Sequence, residues 1–419
     1  MKTSIVVLLG LVASFTFFTG CKKESPVSPD DFELQEINCE ASALLCDLTN
    51  ANLSFGFDLL RSLQQLHADD NIFVSPLSLS TALSMALIGA EGQTDYELRA
   101  ALHLEMFDEA ELLSANKLLL EKLPFLDKNT KLGLSNAIFY RKEYPILPSF
   151  LDANREYFQS EIEALDLSGP ESAKQQINDW VSESTQGTIN DLVDRVPANL
   201  VMYLINTLYF KSGWSQPFDE ELSYTGTFTR QGKQAVEVDY MQKQEVAYPY
   251  FRGNGFQMVD LAYGDSVYSM TLMLPDEGIL VNELLNSLQA DTWHDWIGQL
   301  EDTELMISMP KFKLSWESSM NETLQELGVS DAFDAERADF SGISDQGGLF
   351  ISEVKHKTFI EVNEKGTEAS AASSVGVSRT SIPDIPILQF NRPYLFMIRE
   401  NQSNSILFIG KMMDPSLAD

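Results

Sequence analysis

The segment formed by residues 361–381 constrains the fold of this chain more than any other feature of its sequence. It reads EVNEKGTEASAASSVGVSRTS, so it holds no aromatic or large aliphatic side chain, and the first proline after it is Pro383. A strand-like pattern precedes it, and an apolar stretch at residues 385–390 follows it. Long connections without structure of their own are uncommon inside a compact domain, and they are usually functional or disordered. The segment is therefore expected either to act at the surface or to join a sheet.

Treated as a latent strand, the segment sorts its side chains by face, because successive residues of a strand point to opposite sides. One face holds small or β-branched uncharged residues: Thr367, Ala369, Ala371, Ser373, Val375 and Val377. The other face holds Gly366, Glu368, Ser370, Ala372, Ser374 and Gly376. A flexible linker needs no such sorting. The pattern favours a segment that can slide into a tight sheet with its small face inward and Glu368 in water.

The rest of the chain shows helical patterns first and strand patterns later. Apolar residues recur at helical spacing over residues 52–66, 78–88, 108–123, 149–160 and 173–183. Strand patterns follow at residues 200–210, 267–274, 304–312 and 355–362, and a hairpin is predicted from residues 394–399 and 406–409. Helices segregated from strands indicate an α+β protein. A length of 419 residues suggests two or three domains. No linker or repeat interrupts residues 50–419, however, so we predict one domain over residues 46–419.

The N-terminus has the features of an export signal. Lys2 precedes an apolar run at residues 5–18 that is too short to span a bilayer. The sequence FTGC, which ends at Cys21, resembles the lipobox of bacterial lipoproteins, in which the chain is cleaved before the cysteine and its thiol is lipidated. We predict a signal peptide at residues 1–20 and a lipid-anchored tether at residues 21–45. An ordinary cleaved signal with an incidental cysteine is the alternative.

Two further cysteines, Cys39 and Cys46, lie close together in the sequence. They would form a disulfide in an oxidising compartment, or they are two small apolar residues near the start of a helix. Their spacing fits no zinc-binding pattern.

Charge and motifs exclude several classes of function. The 29 Lys and Arg residues stand against 62 Asp and Glu residues, which gives a net charge of −33. Such a charge repels phosphate backbones and argues against nucleic-acid binding. The usual catalytic motifs are missing from the sequence, and its four histidines are scattered. We therefore predict no catalytic residue, no metal site and no cofactor.

Five blocks of residues, in order along the chain, resemble the serpin family. They are residues 71–78 (NIFVSPLS), 177–192 (INDWVSESTQGTINDL), 205–218 (INTLYFKSGWSQPF), 364–372 (EKGTEASAA) and 390–411, which contain FNRPYLFMIR and ILFIGK. The resemblance covers roughly residues 50–415. It implies the α+β fold of that family, with three β-sheets, eight or nine helices and an exposed reactive loop at about residues 364–386.

The resemblance implies a suicide inhibitor of serine endopeptidases, and not an enzyme. In this family a protease attacks the reactive loop as a substrate, and the freed loop inserts into the main sheet before the acyl-enzyme is hydrolysed. Some members trap cysteine proteases in the same way. The implied partners are trypsin-like proteases, with elastase-like or cysteine proteases as alternatives. The implied protein is a monomer that binds neither nucleic acid nor heparin. The alternative function is that of a non-inhibitory binding or carrier protein.

The resemblance also assigns roles to individual residues. The hinge, where the loop leaves the sheet, comprises Glu364, Gly366, Thr367, Ala369, Ala371 and Ala372. The shutter, beneath the sheet where its strands part, comprises Ser75, Ser78, Asn206 and His356. The breach, where the loop first inserts, comprises Trp214, Lys311 and Glu364. We expect a Lys311–Glu364 ion pair to help hold the hinge outside the sheet.

The reactive bond is predicted at Arg379–Thr380. The commonest spacing in the family places cleavage one residue later, after Thr380. Arg379, however, is the only cation between residues 366 and 391, and it suits the acidic pocket of a trypsin-like enzyme. Bonds after Val375, Val377 or Thr380 would suit elastase-like enzymes.

The predicted localisation follows from the lipobox. Lys22 stands directly after Cys21, whereas an acidic residue at that position retains bacterial lipoproteins in the inner membrane. We therefore predict an exported lipoprotein of the bacterial outer membrane that faces the periplasm or the cell surface.

Overall fold

The computed structural model describes residues 34–37, 39, 42–197, 200–232, 234–367 and 386–417. Within this part of the chain there are nine α-helices: α1 (Ala43–Leu66), α2 (Pro76–Leu87), α3 (Gly92–Ala101), α4 (Glu109–Lys122), α5 (Pro148–Tyr157), α6 (Pro170–Ser184), α7 (Val281–Asn286), α8 (Ala290–Ile297) and α9 (Asn321–Glu326). The same residues form the strands β1 (Ile72–Val74), β2 (Thr130–Arg141), β3 (Glu161–Leu165), β4 (Met202–Gly213), β5 (Tyr224–Thr229), β6 (Ala235–Arg252), β7 (Phe256–Tyr263), β8 (Tyr268–Pro275), β9 (Glu301–Pro310), β10 (Phe312–Ser319), β11 (Lys355–Asn363), β12 (Gly366–Thr367), β13 (Ile387–Gln389), β14 (Tyr394–Glu400) and β15 (Ile406–Met412). Across those ranges, no helix combines the length and the apolar character needed to cross a membrane.

The smaller sheet has six strands in the order β10-β11-β12-β4-β2-β3. Its long strands form two antiparallel pairs, β10 with β11 and β4 with β2. The short strand β12 joins the two pairs at one end. The apolar run at residues 200–210, which predicts a strand, corresponds to β4, and both α2 and α6 pack against it.

The larger sheet has nine strands, with the path β1-β15-β14-β8-β7-β6-β9-β13 and with β5 paired to β6. The long strand β6 divides it into two portions, because the end of β6 pairs with β7 while the preceding residues pair with β5 and β9. These two portions and the smaller sheet make up the three sheets expected. The α+β architecture predicted from the sequence is thus confirmed.

The predicted C-terminal hairpin lies at the centre of the main hydrophobic core. Every residue of β14 and β15 is buried. Phe73 of β1 stacks on Phe396 and Phe408, with ring centroids 5.6 and 5.1 Å apart. Helix α2 packs between this hairpin and β4. Its start is fixed by Ser75, whose side chain accepts a hydrogen bond from the Ser78 amide (3.1 Å).

The folded unit begins nearer the N-terminus than residue 46, the boundary predicted from the sequence. Helix α1 starts at Ala43, and Ile37 is buried in the core. The Gln35 amide donates to the Phe125 carbonyl (2.9 Å). Cys39 and Cys46 form a disulfide with a Cα–Cα distance of 5.5 Å. Part of the predicted tether is therefore docked on the body, because Ile37 offers an apolar side chain that a solvated tether would leave in water.

Candidate functional site

A slot separates β4 from β11 in the smaller sheet. Within the described residues, the only strand between them is β12, and below it the two strands enclose a cleft of about 370 Å³. The cleft is lined by residues 202–208 of β4, by residues 355–358 of β11 and by one side of α2. Each strand thus presents one edge to the slot. An unpaired strand edge is a template for a further strand.

The head of the slot is closed by β12, and its first residue has to be glycine. Gly366 pairs with Gly213 of β4, and Thr367 pairs with Ser212. The backbone of Gly366 has φ +147°, a conformation that L side chains rarely adopt. A Cβ atom at this position would lie 2.2 Å from the Ser212 carbonyl oxygen. Only a residue without a side chain allows the backbone to come this close to β4.

Thr367 is inside the sheet, with 2% of its surface exposed. Its hydroxyl shares a hydrogen bond of 2.5 Å with the hydroxyl of Tyr263. Burial raises the pKa of Tyr263, so this phenol stays neutral. The inward face expected for Thr367 agrees with its position. The expectation that the hinge is held outside the sheet is wrong for Gly366 and Thr367, because both already pair with β4 and β11.

Three hydrogen bonds at the breach hold the residues that precede β12. They run from Trp214 Nε1–H to the Asn363 carbonyl (2.9 Å), from the Trp214 amide to the Lys365 carbonyl (2.9 Å) and from the Phe218 amide to the Glu364 carbonyl (2.8 Å). The indole of Trp214 is itself fixed, since it stacks on Tyr263 at 4.3 Å. These bonds hold the base of the hinge through its backbone carbonyls.

The expected ion pair at the breach is present. Lys311 Nζ lies 3.1 Å from Glu364 Oε1, and the Ser223 hydroxyl donates to the same oxygen (2.6 Å). Burial by itself would raise the pKa of the Glu364 carboxyl, but the hydrogen bonds from Ser223 and Lys311 outweigh it and hold that pKa below its ordinary value. Lys311 is one-third exposed, so the pair adds little stability and serves mainly to orient Glu364.

The shutter residues meet at the base of the slot. The Ser75 amide donates to Nε2 of His356 (3.0 Å), and the Ser78 hydroxyl donates to the Asn206 carbonyl (3.4 Å). His356 is 5% exposed, and burial lowers its pKa to about 3. The ring is therefore neutral at physiological pH, which leaves Nε2 free to accept. These contacts join the start of α2 to both strands that border the slot, β4 and β11.

Asn206 carries an unused hydrogen-bonding group. Its side-chain amide donates to Oδ1 of Asn136 (2.7 Å), whose own amide donates to the Phe158 carbonyl (2.6 Å). The Oδ1 atom of Asn206 is buried and has no hydrogen-bond partner among the described residues. Buried polar atoms of this kind are uncommon and call for an explanation.

Several predicted site residues lie outside the described part of the chain. They are Ala369, Ala371, Ala372, Arg379, Thr380 and Cys21. Conversely, sequence reasoning missed Tyr263, Ser223 and Asn136, which bond to hinge or shutter residues. Tyr263 is 104 positions from Thr367 in the sequence, and no motif or periodicity connects residues so far apart. Only the packing of the larger sheet against the smaller one brings them together.

Comparisons with known proteins point to one family. A family model described as "Serpin (serine protease inhibitor)" matches residues 50–415. The leukocyte elastase inhibitor of Xenopus laevis is 34% identical over 379 residues, which cover 88% of this chain and 100% of that protein. The structure of human thyroxine-binding globulin is similar with a TM-score of 0.80 at 29% identity, over 89% of this chain and 99% of that chain. The native thermophilic serpin Tengpin gives 0.79 at 31% identity, over 91% and 96% of the two chains.

Proposed function

Because this chain belongs to the serpin family, we propose that it inhibits serine endopeptidases by covalent trapping. The serine Oγ of the protease attacks the carbonyl carbon of Arg379, and the amine of Thr380 leaves with a proton. The freed loop inserts between β4 and β11 while the protease is still an acyl-enzyme. The observation that carries this proposal is the slot, which, among the residues that the structure describes, is closed at its head by β12 and open below it.

The register of β12 indicates which residues of β4 and β11 each loop residue would pair with after insertion. Thr367 pairs antiparallel with both walls of the slot, so each later loop residue meets an earlier residue of β4 and of β11. Continued in this register, the loop places Ser373 between Asn206 and His356. The hydroxyl of Ser373 would then face the unpartnered Oδ1 of Asn206 and donate to it. Loop insertion would thus supply the hydrogen-bond donor that Oδ1 of Asn206 lacks.

The same register keeps the charged loop residue away from the core. It places Glu368 between Lys211 and Glu361, both of which are only partly buried. The small face of the loop, which begins at Thr367, meets the core side of the slot. Residues 364–382 contain no proline, so every residue of the inserting segment can donate its amide to the ladder. Insertion supplies partners for the strand edges that the slot leaves open.

Arg379 defines the target class in this proposal. It is the only cation between residues 366 and 391, and trypsin-like enzymes bind a cationic side chain before the cleaved bond. The test is to incubate the chain with a trypsin-like and an elastase-like serine protease and to follow the products by denaturing gel and intact-mass analysis. The expected product with the trypsin-like enzyme is the protease joined to a chain that ends at Arg379. Arg379→Ala should shift or abolish this product.

Two controls make the result decisive. A protease whose nucleophilic serine is replaced by alanine should bind without forming the covalent product. Cleaved chain without any covalent complex, with either protease, would refute the trapping mechanism. A complex that ends at Val375, Val377 or Thr380 would preserve the mechanism and move the reactive bond.

A second candidate function is favoured by one observation, the likeness of this structure to human thyroxine-binding globulin. That protein is named for binding a small molecule and not for inhibition. A non-inhibitory binding or carrier protein would give cleaved chain and no covalent complex in the same assay. The alanine-rich hinge and the open slot favour the inhibitor.

We also propose that the chain is an exported outer-membrane lipoprotein anchored through Cys21, that it is a monomer and that it needs no heparin. The net charge of −33 supports the last point, because heparin is a polyanion. Metabolic labelling with a radioactive fatty acid in a bacterial host should label the parent chain and not Cys21→Ser. Equal labelling of both, or of neither, would contradict the anchor.

A further inference from the structure

The turn between β6 and β7 contains the one Asn-Gly pair of the sequence, Asn254 and Gly255. Asn254 is exposed. Gly255 has φ +85°, in the left-handed region that favours glycine. The Gly253 amide donates to the Phe256 carbonyl (3.0 Å), which closes the turn next to this pair. The turn therefore holds Asn254 in water at the tip of the hairpin, with a glycine directly after it.

The backbone amide of Gly255 is not engaged in a hydrogen bond. It donates to no acceptor among the residues that the structure describes, although the carbonyl of Gly255 accepts from the Asp276 amide (2.8 Å). Glycine also has no Cβ atom that would hinder its nitrogen from approaching the preceding side chain. The Gly255 nitrogen can therefore attack Cγ of Asn254, which is the carbon of a side-chain amide and hence an electrophile.

A second exposed asparagine, Asn286, lacks such a free amide after it. It is the last residue of α7 and precedes Ser287, another small residue. The Ser287 amide donates to the Leu284 carbonyl (3.0 Å), so its nitrogen is committed to the end of the helix. Asn286 thus serves as an internal reference, because it is also exposed but the nitrogen that follows it is hydrogen-bonded.

We propose that Asn254 is a modification site, at which the chain deamidates without an enzyme and with water as the only co-reactant. Asparagine is among the thermolabile residues of proteins. The Gly255 nitrogen gives up its proton and attacks Cγ of Asn254, and the side-chain nitrogen leaves with that proton as ammonia. The product is a five-membered succinimide ring, which water then opens at either carbonyl carbon. Cleavage of the Cγ–N bond yields aspartate, and cleavage of the original peptide bond yields isoaspartate.

The two products should affect the hairpin differently. Aspartate adds one negative charge at an exposed position, whereas isoaspartate also adds one carbon atom to the main chain of the turn. The turn has little room for that atom, since a Cβ at Gly253 would lie 2.3 Å from the Phe256 ring. Strands β6 and β7 pair only through residues 250–252 and 257–259, directly beside the turn. Isoaspartate should therefore loosen this end of the hairpin, and aspartate should not.

The test follows the modification in the intact chain, which is incubated at pH 6 and at pH 8.5 and then digested under mildly acidic conditions. Liquid chromatography with tandem mass spectrometry measures deamidation at Asn254 and Asn286 and separates aspartate from isoaspartate. Asn254→Gln keeps an exposed amide but would need a larger ring to cyclise. Asn254→Asp carries the charge on an unaltered main chain. Residue 254 does not line the slot, so the result does not depend on whether the chain inhibits proteases.

We expect Asn254 to deamidate at least tenfold faster than Asn286 and to yield mainly isoaspartate. The reaction should be faster at pH 8.5 than at pH 6, because the attacking nitrogen must lose its proton. Asn254→Gln should stay unmodified at residue 254. Deamidation of Asn254 no faster than that of Asn286 would overturn the proposal. So would a product that contains aspartate alone, or a rate that is the same at both pH values.

Hydrogen exchange tests the effect on the hairpin. Exchange at the Gly253 amide should become faster in the isoaspartate form and should keep the parent rate in Asn254→Asp. Unchanged exchange in the isoaspartate form would refute the predicted loosening.

Discussion

Thr367 offers the sharpest test of loop insertion, through the substitution Thr367→Glu. Its side chain is 2% exposed and touches a neutral phenol, that of Tyr263, rather than a cation. A carboxylate at this position would be buried without a partner of opposite charge. The penalty for leaving one charge uncompensated in a protein interior is about 3–5 kcal/mol. Because Thr367 is already inside the sheet, the charge should first expel it from the uncleaved chain, and insertion must then bury it again. About 1.4 kcal/mol corresponds to a factor of ten, so insertion should slow by roughly 100- to 4,000-fold.

The slowing decides the fate of the acyl-enzyme, since insertion competes with hydrolysis. With insertion this slow, most Thr367→Glu molecules should be released as cleaved chain, and the number of inhibitor molecules consumed per inactivated protease should rise steeply. Titration of a trypsin-like protease, with gels to separate complex from cleaved chain, measures this ratio. Protonation removes the charge, so the defect should shrink as the pH is lowered from 8 to 6.

Two variants isolate the charge from the change of shape. The glutamine of Thr367→Gln is neutral and has nearly the same shape as the glutamate of Thr367→Glu. Thr367→Gln should therefore inhibit the protease much better than Thr367→Glu does, and its stoichiometry should not change between pH 8 and pH 6. Thr367→Ser keeps the hydroxyl that bonds to Tyr263 and should behave as the parent chain does. An unchanged stoichiometry for Thr367→Glu at pH 8, or equal damage from Gln and Glu, would refute the reasoning.

Three further predictions follow from the site and the N-terminus. Gly366→Ala should expel β12, because its Cβ would lie 2.2 Å from the Ser212 carbonyl oxygen; hydrogen exchange at the Thr367 amide should lose protection, and retained protection would contradict this. Burial lowers the pKa of His356 to about 3. This histidine therefore takes up a proton near pH 6.5 in the unfolded chain but stays neutral there in the folded chain. The free energy of unfolding should therefore fall between pH 6.5 and pH 3, and urea titrations should show a smaller fall for His356→Gln. Replacing both disulfide cysteines by serine should lower the free energy of unfolding by about 2 kcal/mol, and an unchanged urea midpoint in non-reducing buffer would show that the cross-link adds nothing.

The sequence allowed the inward orientation of Thr367 to be predicted, because alternation along a strand is a local property. Thr367 lies on the buried side, as its spacing indicates. The contact between Lys311 and Glu364 also followed from the family resemblance and is present in the structure. Both features depend on residues close in sequence or on a recognised motif.

Other parts of the site depend on pairings that no local pattern encodes. The bond from Trp214 Nε1 to the Asn363 carbonyl links residues 149 positions apart. The position of β12 inside the sheet depends on a close backbone approach between Gly366 and β4, which sequence spacing cannot reveal. The docking of Ile37 was missed because one apolar residue in a polar segment carries no periodic signal.

In the mechanism proposed above, strand insertion would start from an existing nucleus, the two residues of β12. Joining a loose chain end to a sheet normally costs conformational entropy before the first stable contact forms. Here Gly366 and Thr367 are already fixed to both walls, and the breach holds the residues before them. Under that mechanism, the freed loop would add to the sheet one residue after another, from a fixed end and in one direction. A protease attached at the far end of the loop would be carried along that line, away from the breach and past the shutter.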